Sequence, residues 1–94
     1  MTKADIVNEI SKESGIEKVT VQKAIEAFME TIKGSLVEGN NVYLRGFGSF
    51  IVKERAEKTA RNISKNTTII IPKHFIPAFK PSKSFVTKVK DQVK

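Results

Sequence analysis

The sequence predicts an α+β fold: two helices, a three-stranded antiparallel sheet with a long protruding β-ribbon, and a short C-terminal helix. Apolar residues follow helical spacing up to residue 38, alternate with polar residues after residue 40, and return to helical spacing after residue 82. Residues 53–66 contain no apolar stripe that could build a core. The β segments around them are therefore expected to project as a ribbon.

The first helix is predicted over residues 3–14. Thr2 and Asp5 form a capping-box pattern at its start, in which each residue's side chain satisfies a backbone donor of the other. Gly15 ends it, because glycine adopts the left-handed conformation of a helix C-terminus without steric cost. One face of this helix is apolar, with Ile6, Val7 and Ile10.

The second helix is predicted over residues 18–38, although Thr20 is an alternative N-cap and would place the start later. Its apolar face repeats at helical spacing and comprises Val21, Ile25, Phe28, Met29, Ile32 and Leu36. Gly39 and the two asparagines after it end the helix. The two helices together form an αα-hairpin.

Strand-forming residues follow the helices. A first strand contains Val42 and Leu44, and a second runs from about residue 48 into the 50s after a turn at Gly46 and Gly48. Thr67–Ile71 is again β-prone and begins the return strand. This strand contains Pro72, Pro77 and Pro81, each of which lacks a backbone donor, so it should lie at an edge or be interrupted.

Ser82 is a suitable N-cap for the last helix, predicted over about residues 83–93. The predicted order is therefore α-α-β-β-β-α. All 94 residues are expected to form one domain. It is divided into a helical dimerisation part (1–40), a sheet and arm (41–81, with the arm at about 53–76) and a C-terminal helix (82–94).

Positive charge is concentrated in the second half of the chain. Residues 1–52 hold 6 basic and 7 acidic side chains, whereas residues 53–80 hold 7 basic and only 2 acidic ones. A local surplus of this kind indicates a polyanionic partner, with charge that merely aids solubility as the alternative.

The composition argues against an enzyme and against a bound cofactor. There is no cysteine, and the one histidine, His74, has no second ligand at a metal-binding spacing. His74 is expected to be a strand residue near the arm. No apolar run approaches the length of a membrane span, and no signal peptide is visible, so a cytoplasmic protein is expected.

The β region also resembles the HU/IHF family, the histone-like DNA-bending proteins of the bacterial nucleoid, and the resemblance covers the whole chain. The matching segments are Arg45-Gly46-Phe47-Gly48-Ser49-Phe50, Val52-Lys53-Glu54-Arg55-Ala56, Arg61-Asn62, Ile71-Pro72, Pro77-Ala78-Phe79-Lys80-Pro81 and the opening Met1–Val7. The resemblance implies an intertwined dimer, with a second copy or a paralogous subunit. It also implies binding of double-stranded DNA through the minor groove.

The resemblance, with the charge pattern, marks a set of DNA-binding residues. Those of the body are Lys3, Arg45, Gly46, Gly48, Ser49, Lys80 and Lys83, and those of the arm are Lys53, Arg55, Lys58, Arg61, Asn62, Ile63, Lys65 and Lys73. Gly46 and Gly48 would present backbone amides to phosphate. The dimer core would contain Phe28, Phe47, Phe50 and Phe79, an interpretation we favour over base stacking for the last three. No metal site is implied.

The arm tip departs from the family pattern. Ile63 occupies the place of the usual wedge proline, and Asn66 replaces a glycine, as do Ala60 and Ser82. A branched aliphatic side chain can still enter a base step. The alternative is a loop residue on an arm that does not insert.

Three other functions remain open from the sequence. One is site-specific DNA bending of the IHF kind, because the Arg45–Phe50 segment is compatible with either mode. A second is RNA binding. The third is a basic membrane-surface protein. We disfavour it because such proteins use amphipathic helices, whereas this surplus lies on a ribbon expected to expose few large apolar residues.

We predict that Ile63→Ala reduces the DNA bend angle more than it reduces affinity. Unstacking a base step costs on the order of a few kcal/mol, repaid by contacts on the bent duplex. The change should also shrink any preference for nicked DNA. Fluorescence transfer between the ends of a short duplex measures the bend, and equal bending at saturation would show that Ile63 is only a loop residue.

Overall fold

The computed structural model describes residues 1–62 and 67–93, and it confirms the predicted α+β class. The described helices are α1 (Lys3–Ser14), α2 (Lys18–Val37) and α3 (Lys83–Gln92), and the described strands are β1 (Val42–Leu44), β2 (Gly48–Arg55), β3 (Lys58–Asn62), β4 (Thr67–Ile71) and β5 (His74–Pro81). The chain divides into two compact units, Met1–Ser35 and Leu36–Lys94.

The N-terminus of α1 is capped as the sequence predicts. The Thr2 hydroxyl accepts a hydrogen bond from the Asp5 amide at 3.4 Å, and the Asp5 carboxylate accepts one from the Thr2 amide at 2.8 Å. Hydrogen bonds from the Thr2 amide and hydroxyl lower the pKa of Asp5 below its ordinary value. Gly15 ends the helix in the left-handed conformation, with φ of 75°.

The first unit contains little fully buried apolar surface. Val7, Val21 and Ile32 are the buried apolar residues of the described chain. An apolar cleft of about 160 Å³ lies nearby and is lined by Ile10, Ile16, Thr20, Val21, Ala24 and Ile25. Helix α2 begins at Lys18 rather than at the alternative start after Thr20.

The second unit is built on a three-stranded antiparallel sheet in the order β1-β2-β5. Strand β5 lies at the edge, as its prolines predict, and Pro77 pairs with Val52 in it. Strands β3 and β4 form a separate antiparallel pair. The predicted three-stranded sheet is therefore confirmed, whereas the predicted order α-α-β-β-β-α did not separate β3 and β4 from β2 and β5.

The ribbon consists of the β2–β5 pair followed by the β3–β4 pair, and it keeps one register across the gap between them. Arg55 pairs with His74 at the end of the first sheet, and Lys58 pairs with Ile71 at the start of the second. Lys58 follows Arg55 by three residues, and Ile71 precedes His74 by three. The pairing lapses at residues 56–57 and 72–73. Pro72 lies there and has no backbone N–H to donate. Because no extra residue is inserted on either side, we assign the side chains beyond the interruption to the same two faces by the alternation of extended strands.

One face, the basic face, bears polar and cationic side chains. It comprises Tyr43 of β1, Ser49, Ile51, Lys53 and Arg55 of β2, Thr59 and Arg61 of β3, Thr68 and Ile70 of β4, and His74, Ile76, Ala78 and Lys80 of β5. The aromatic face comprises Phe50, Val52, Glu54, Lys58, Ala60, Ile69, Ile71, Phe75, Pro77 and Phe79. Alternation thus places Phe50, Phe75 and Phe79 on the face opposite Lys53, Arg55 and Lys80.

Phenylalanines form a cluster at the end of the aromatic face that is farthest from β3 and β4. Phe79 lies 5.0 Å from Phe47 and 4.9 Å from Phe50 between ring centroids, and Phe47 stacks on Phe85 at 5.6 Å. Phe47 and Phe79 nevertheless remain more than one-third exposed, as does Phe28 of α2. Three of the four predicted dimer-core aromatics thus form one cluster, and a single chain leaves that cluster incompletely covered.

We predict that Gly48→Ala lowers the free energy of unfolding by about 1–3 kcal/mol, the usual cost of overpacking. A Cβ at Gly48 would lie 2.6 Å from the Lys80 carbonyl oxygen and 2.7 Å from the Phe79 ring. Gly34→Ala is the matched control, because a Cβ there meets nothing within 4 Å and alanine suits a helix better than glycine. Denaturant unfolding at equal protein concentration measures both, and equal stability of the two variants would contradict the prediction.

Candidate nucleic-acid interface

A groove at the body end of the basic face brings together six predicted DNA-binding residues. It has a volume of about 610 Å³, and the six are Arg45, Gly46, Gly48, Ser49, Lys80 and Lys83. Tyr43, Leu44, Ile51, Pro81 and Ser82 complete its lining. None of these described lining residues is acidic, so the groove suits an anionic ligand.

The β1–β2 turn positions Arg45 in this groove. Gly46 adopts a φ of 82°, which favours glycine, and the Phe47 amide closes the turn by donating to the Leu44 carbonyl at 3.0 Å. Gly48 plays a packing role, because it is buried against Phe79 and Lys80.

Ser82 joins this turn to α3 and thereby sets the position of Lys83. Its hydroxyl donates to the Gly46 carbonyl at 3.1 Å, and its amide donates to the Phe47 carbonyl at 2.9 Å. The same hydroxyl oxygen accepts a hydrogen bond from the Phe85 amide and so caps the helix, as predicted. The sequence indicated the cap but not the contact with the turn, because that contact joins residues 36 positions apart.

The basic face extends from this groove along the ribbon. Lys53 and Arg55 are exposed on β2, and Arg61 lies on the same face of β3. Successive cations on one face of an extended ribbon match the repeating phosphates of a nucleic-acid backbone.

Three other predicted DNA-binding lysines lie elsewhere. Lys58 is on the aromatic face opposite Ile71. Lys73 pairs with the Glu54 carboxylate at 3.0 Å, and Lys3 pairs with Glu26 at 3.1 Å. Hydrogen bonds from Gln22 and then Lys3 lower the pKa of Glu26 below its ordinary value. Exposed ion pairs of this kind are weak, so a phosphate can compete for these lysines.

The expectation of few exposed large apolar residues on the ribbon is wrong. Ile69, Ile70, Ile71 and Phe75 are between 38% and 63% exposed. Strand β4 consists of β-branched residues, which favour the strand conformation without needing a core beneath them. Three of the four, all but Ile70, lie on the aromatic face.

Some predicted site residues lie outside the described part of the chain. These are Ile63 and Lys65 at the predicted arm tip, together with the side chain of Asn62, whose backbone ends β3. The wedge prediction for Ile63 therefore stays a prediction.

Two residues of the basic face were missed as site residues. Tyr43 lines the groove and pairs with Ser49, and the alternation of β1 with β2 was the signal that could have placed it there. His74 lies directly opposite Arg55. The sequence identified it as a strand residue, which is confirmed, but the face it occupies depends on the register.

Other kinds of site find little support in the described residues. No group of three or more histidine, aspartate or glutamate side chains among them could hold a metal ion. Within the same residues, none of the helices has the length and apolar character needed to cross a membrane.

A groove without described acidic residues that leads into a cationic strand face is typical of nucleic-acid-binding proteins. The family model for bacterial DNA-binding proteins matches residues 1–90. The chain is 42% identical over 83 residues to DNA-binding protein HU-1 of Halalkalibacterium halodurans, covering 88% of this chain and 92% of that protein. It is 38% identical to DNA-binding protein HU of Geobacillus stearothermophilus, covering 96% and 100% of the two chains. The chain belongs to the HU/IHF family of bacterial DNA-binding proteins.

Solved structures agree with this assignment. An Anabaena HU–DNA cocrystal structure superposes with a TM-score of 0.87 and 31% identity over the full length of both chains. HU from Thermotoga maritima superposes with a TM-score of 0.67 and 27% identity, covering 95% of this chain and 98% of that one. The family predicted from the sequence is confirmed.

We predict that Lys53→Ala weakens duplex binding more than Lys58→Ala, because the two lysines lie on opposite faces of the ribbon. Removing one cation that binds a phosphate should make the slope of log affinity against log salt concentration shallower by about 0.9 for each arm. Fluorescence anisotropy over a series of salt concentrations measures this for several unrelated duplexes. A larger effect of Lys58→Ala would place the DNA on the aromatic face.

Proposed function

We propose that this protein is an architectural DNA-binding protein that bends and compacts duplex DNA through the minor groove. The observation that carries the proposal is the continuity of the basic face with the acid-free groove. Both can contact one phosphate backbone, the groove through Arg45, Ser49 and Lys80 and the ribbon through Lys53 and Arg55. Lys83, Lys3 and the amide of Gly46 are proposed as additional contacts from the body.

The mechanism follows from where these charges lie. Phosphate contacts hold the duplex on the body sheet, while an arm follows the minor groove and draws the DNA around it. Arg61, with Asn62 and Lys65, would extend the contacts toward the tip, where Ile63 would act as the wedge. Lys58 and Lys73, on the other side of the ribbon, would be secondary contacts.

We propose low sequence specificity. The minor groove offers a degenerate pattern of donors and acceptors, so a cationic ribbon responds to groove width and deformability more than to base identity. Chromosomal DNA in the nucleoid would be the ligand. The family is one of DNA-binding proteins, and the proposed action needs neither a catalytic step nor a cofactor.

The unit of function is proposed to be a homodimer. Phe28, Phe47 and Phe79 are 40–45% exposed in the single chain, and aromatic side chains of this size gain most when fully buried. A further apolar groove beside the phenylalanine cluster is lined by Phe79, Pro81, Phe85, Val86, Val89 and Lys90. A second copy would cover these surfaces and supply the second arm.

We expect the protein to sediment as a dimer at micromolar concentration in the absence of DNA. Burial of the exposed phenylalanines is worth roughly 25 cal/mol for each Å² of apolar surface removed from water. Equilibrium sedimentation should give about twice the 10.5 kDa chain mass. A folded monomer under these conditions would contradict the dimer.

A bending assay tests the proposed function directly. We expect fluorescence transfer between the ends of a duplex of about 30 base pairs to rise on binding, for random sequences and more strongly for nicked ones, whose flexible step lowers the cost of bending. Anionic liposomes and an A-form RNA of equal length serve as competitors. Binding without bending, or a preference for either competitor, would contradict the proposal.

A further inference from the structure

His74 lies at the start of β5, on the basic face of the ribbon. It is exposed and is paired in register with Arg55 of β2. The family resemblance assigned it no role. Its place among the proposed phosphate contacts brings its imidazole ring to the surface on which DNA would lie.

A hydrogen bond fixes the orientation of this ring. Nδ1 of His74 lies 2.9 Å from the carbonyl oxygen of Pro72. A backbone carbonyl can only accept, so a hydrogen bond here requires the hydrogen to be on Nδ1 in the neutral ring. In that neutral form Nε2 has a lone pair and no hydrogen. Protonation places a hydrogen on Nε2 and a positive charge on the ring.

The surrounding charges favour a phosphate at this position. Arg55 lies directly opposite His74, and Lys53 lies two residues earlier on the same face. Glu57, two residues after Arg55, is the acidic residue of the unpaired stretch 56–57. Lys73 is adjacent in the chain but pairs with Glu54, on the aromatic face.

We propose that His74 is a proton-gated contact to the DNA backbone, an inference that rests on the proposed function. The neutral ring presents a lone pair at Nε2, which repels a phosphate oxygen. The protonated ring presents a charged donor, which binds it. Linkage makes this coupling reciprocal, so acidification strengthens DNA binding and bound DNA favours the protonated ring.

The test compares the wild type with His74→Gln and His74→Lys at about pH 5 and about pH 8, the range over which imidazole side chains titrate. The probe is a random-sequence duplex, with affinity measured by anisotropy at several salt concentrations. For the wild type, we expect affinity to rise roughly two- to fivefold per arm at the lower pH. For the wild type at the lower pH, the slope of log affinity against log salt concentration should steepen by about 0.9 for each arm of the dimer.

The variants separate His74 from every other titrating group, including the chain's α-amino group. His74→Gln keeps a polar side chain without a titratable ring and should lose the added pH dependence. His74→Lys should show the steeper salt dependence at both pH values. An equal pH effect in the wild type and His74→Gln would overturn the proposal.

A second measurement needs no DNA. Long-range ¹⁵N–¹H correlation spectra of the free protein at about pH 8 report the imidazole tautomer, and we expect the hydrogen on Nδ1. A hydrogen on Nε2 would overturn the proposal, because the neutral ring could then donate to phosphate. Absence of duplex binding at both pH values would instead be a failure of the proposed function.

Discussion

The register of the ribbon is the constraint on which the rest of this molecule depends. Side chains of a β-strand alternate between two faces, so a slip by one residue would exchange every position. Here Arg55–His74 and Lys58–Ile71 preserve one register through an interruption that contains Pro72. As a result, the strand phenylalanines Phe50, Phe75 and Phe79 lie on one face, and four of the proposed DNA-binding cations lie on the other: Lys53, Arg55, Arg61 and Lys80.

The same constraint links assembly to ligand binding. The aromatic face carries the phenylalanine cluster at Phe47 and Phe79 and, beyond the Glu54–Lys73 ion pair, the exposed Ile69 and Ile71 of β4. The basic face is continuous from the groove at Arg45 to Arg61. A partner subunit bound over the phenylalanine cluster, as we propose, would leave the basic face available to DNA.

Much of this architecture could be predicted from the sequence because its signals are local. The capping pair Thr2 and Asp5, the left-handed Gly15 and the N-cap Ser82 each depend on residues within a few positions, and each is confirmed. The family assignment rested on an ordered series of motifs and is confirmed as well.

What could not be predicted depends on pairing between distant residues. The face occupied by His74 and the contact of Ser82 with Gly46 both follow from the alignment of β2 with β5. The exposure of Ile69–Ile71 was missed for a different reason, because a strand-forming composition does not reveal whether anything packs against the strand.

Thiol protection tests most directly whether DNA lies on the basic face of the ribbon, which is the central claim made for this molecule. The natural chain has no cysteine, so single cysteines can replace Thr59, on the basic face, and Ala60, its neighbour on the aromatic face. Bound duplex should slow alkylation of the cysteine at position 59 much more than that at position 60. Equal protection of the two thiols, or stronger protection at position 60, would contradict this placement of the DNA.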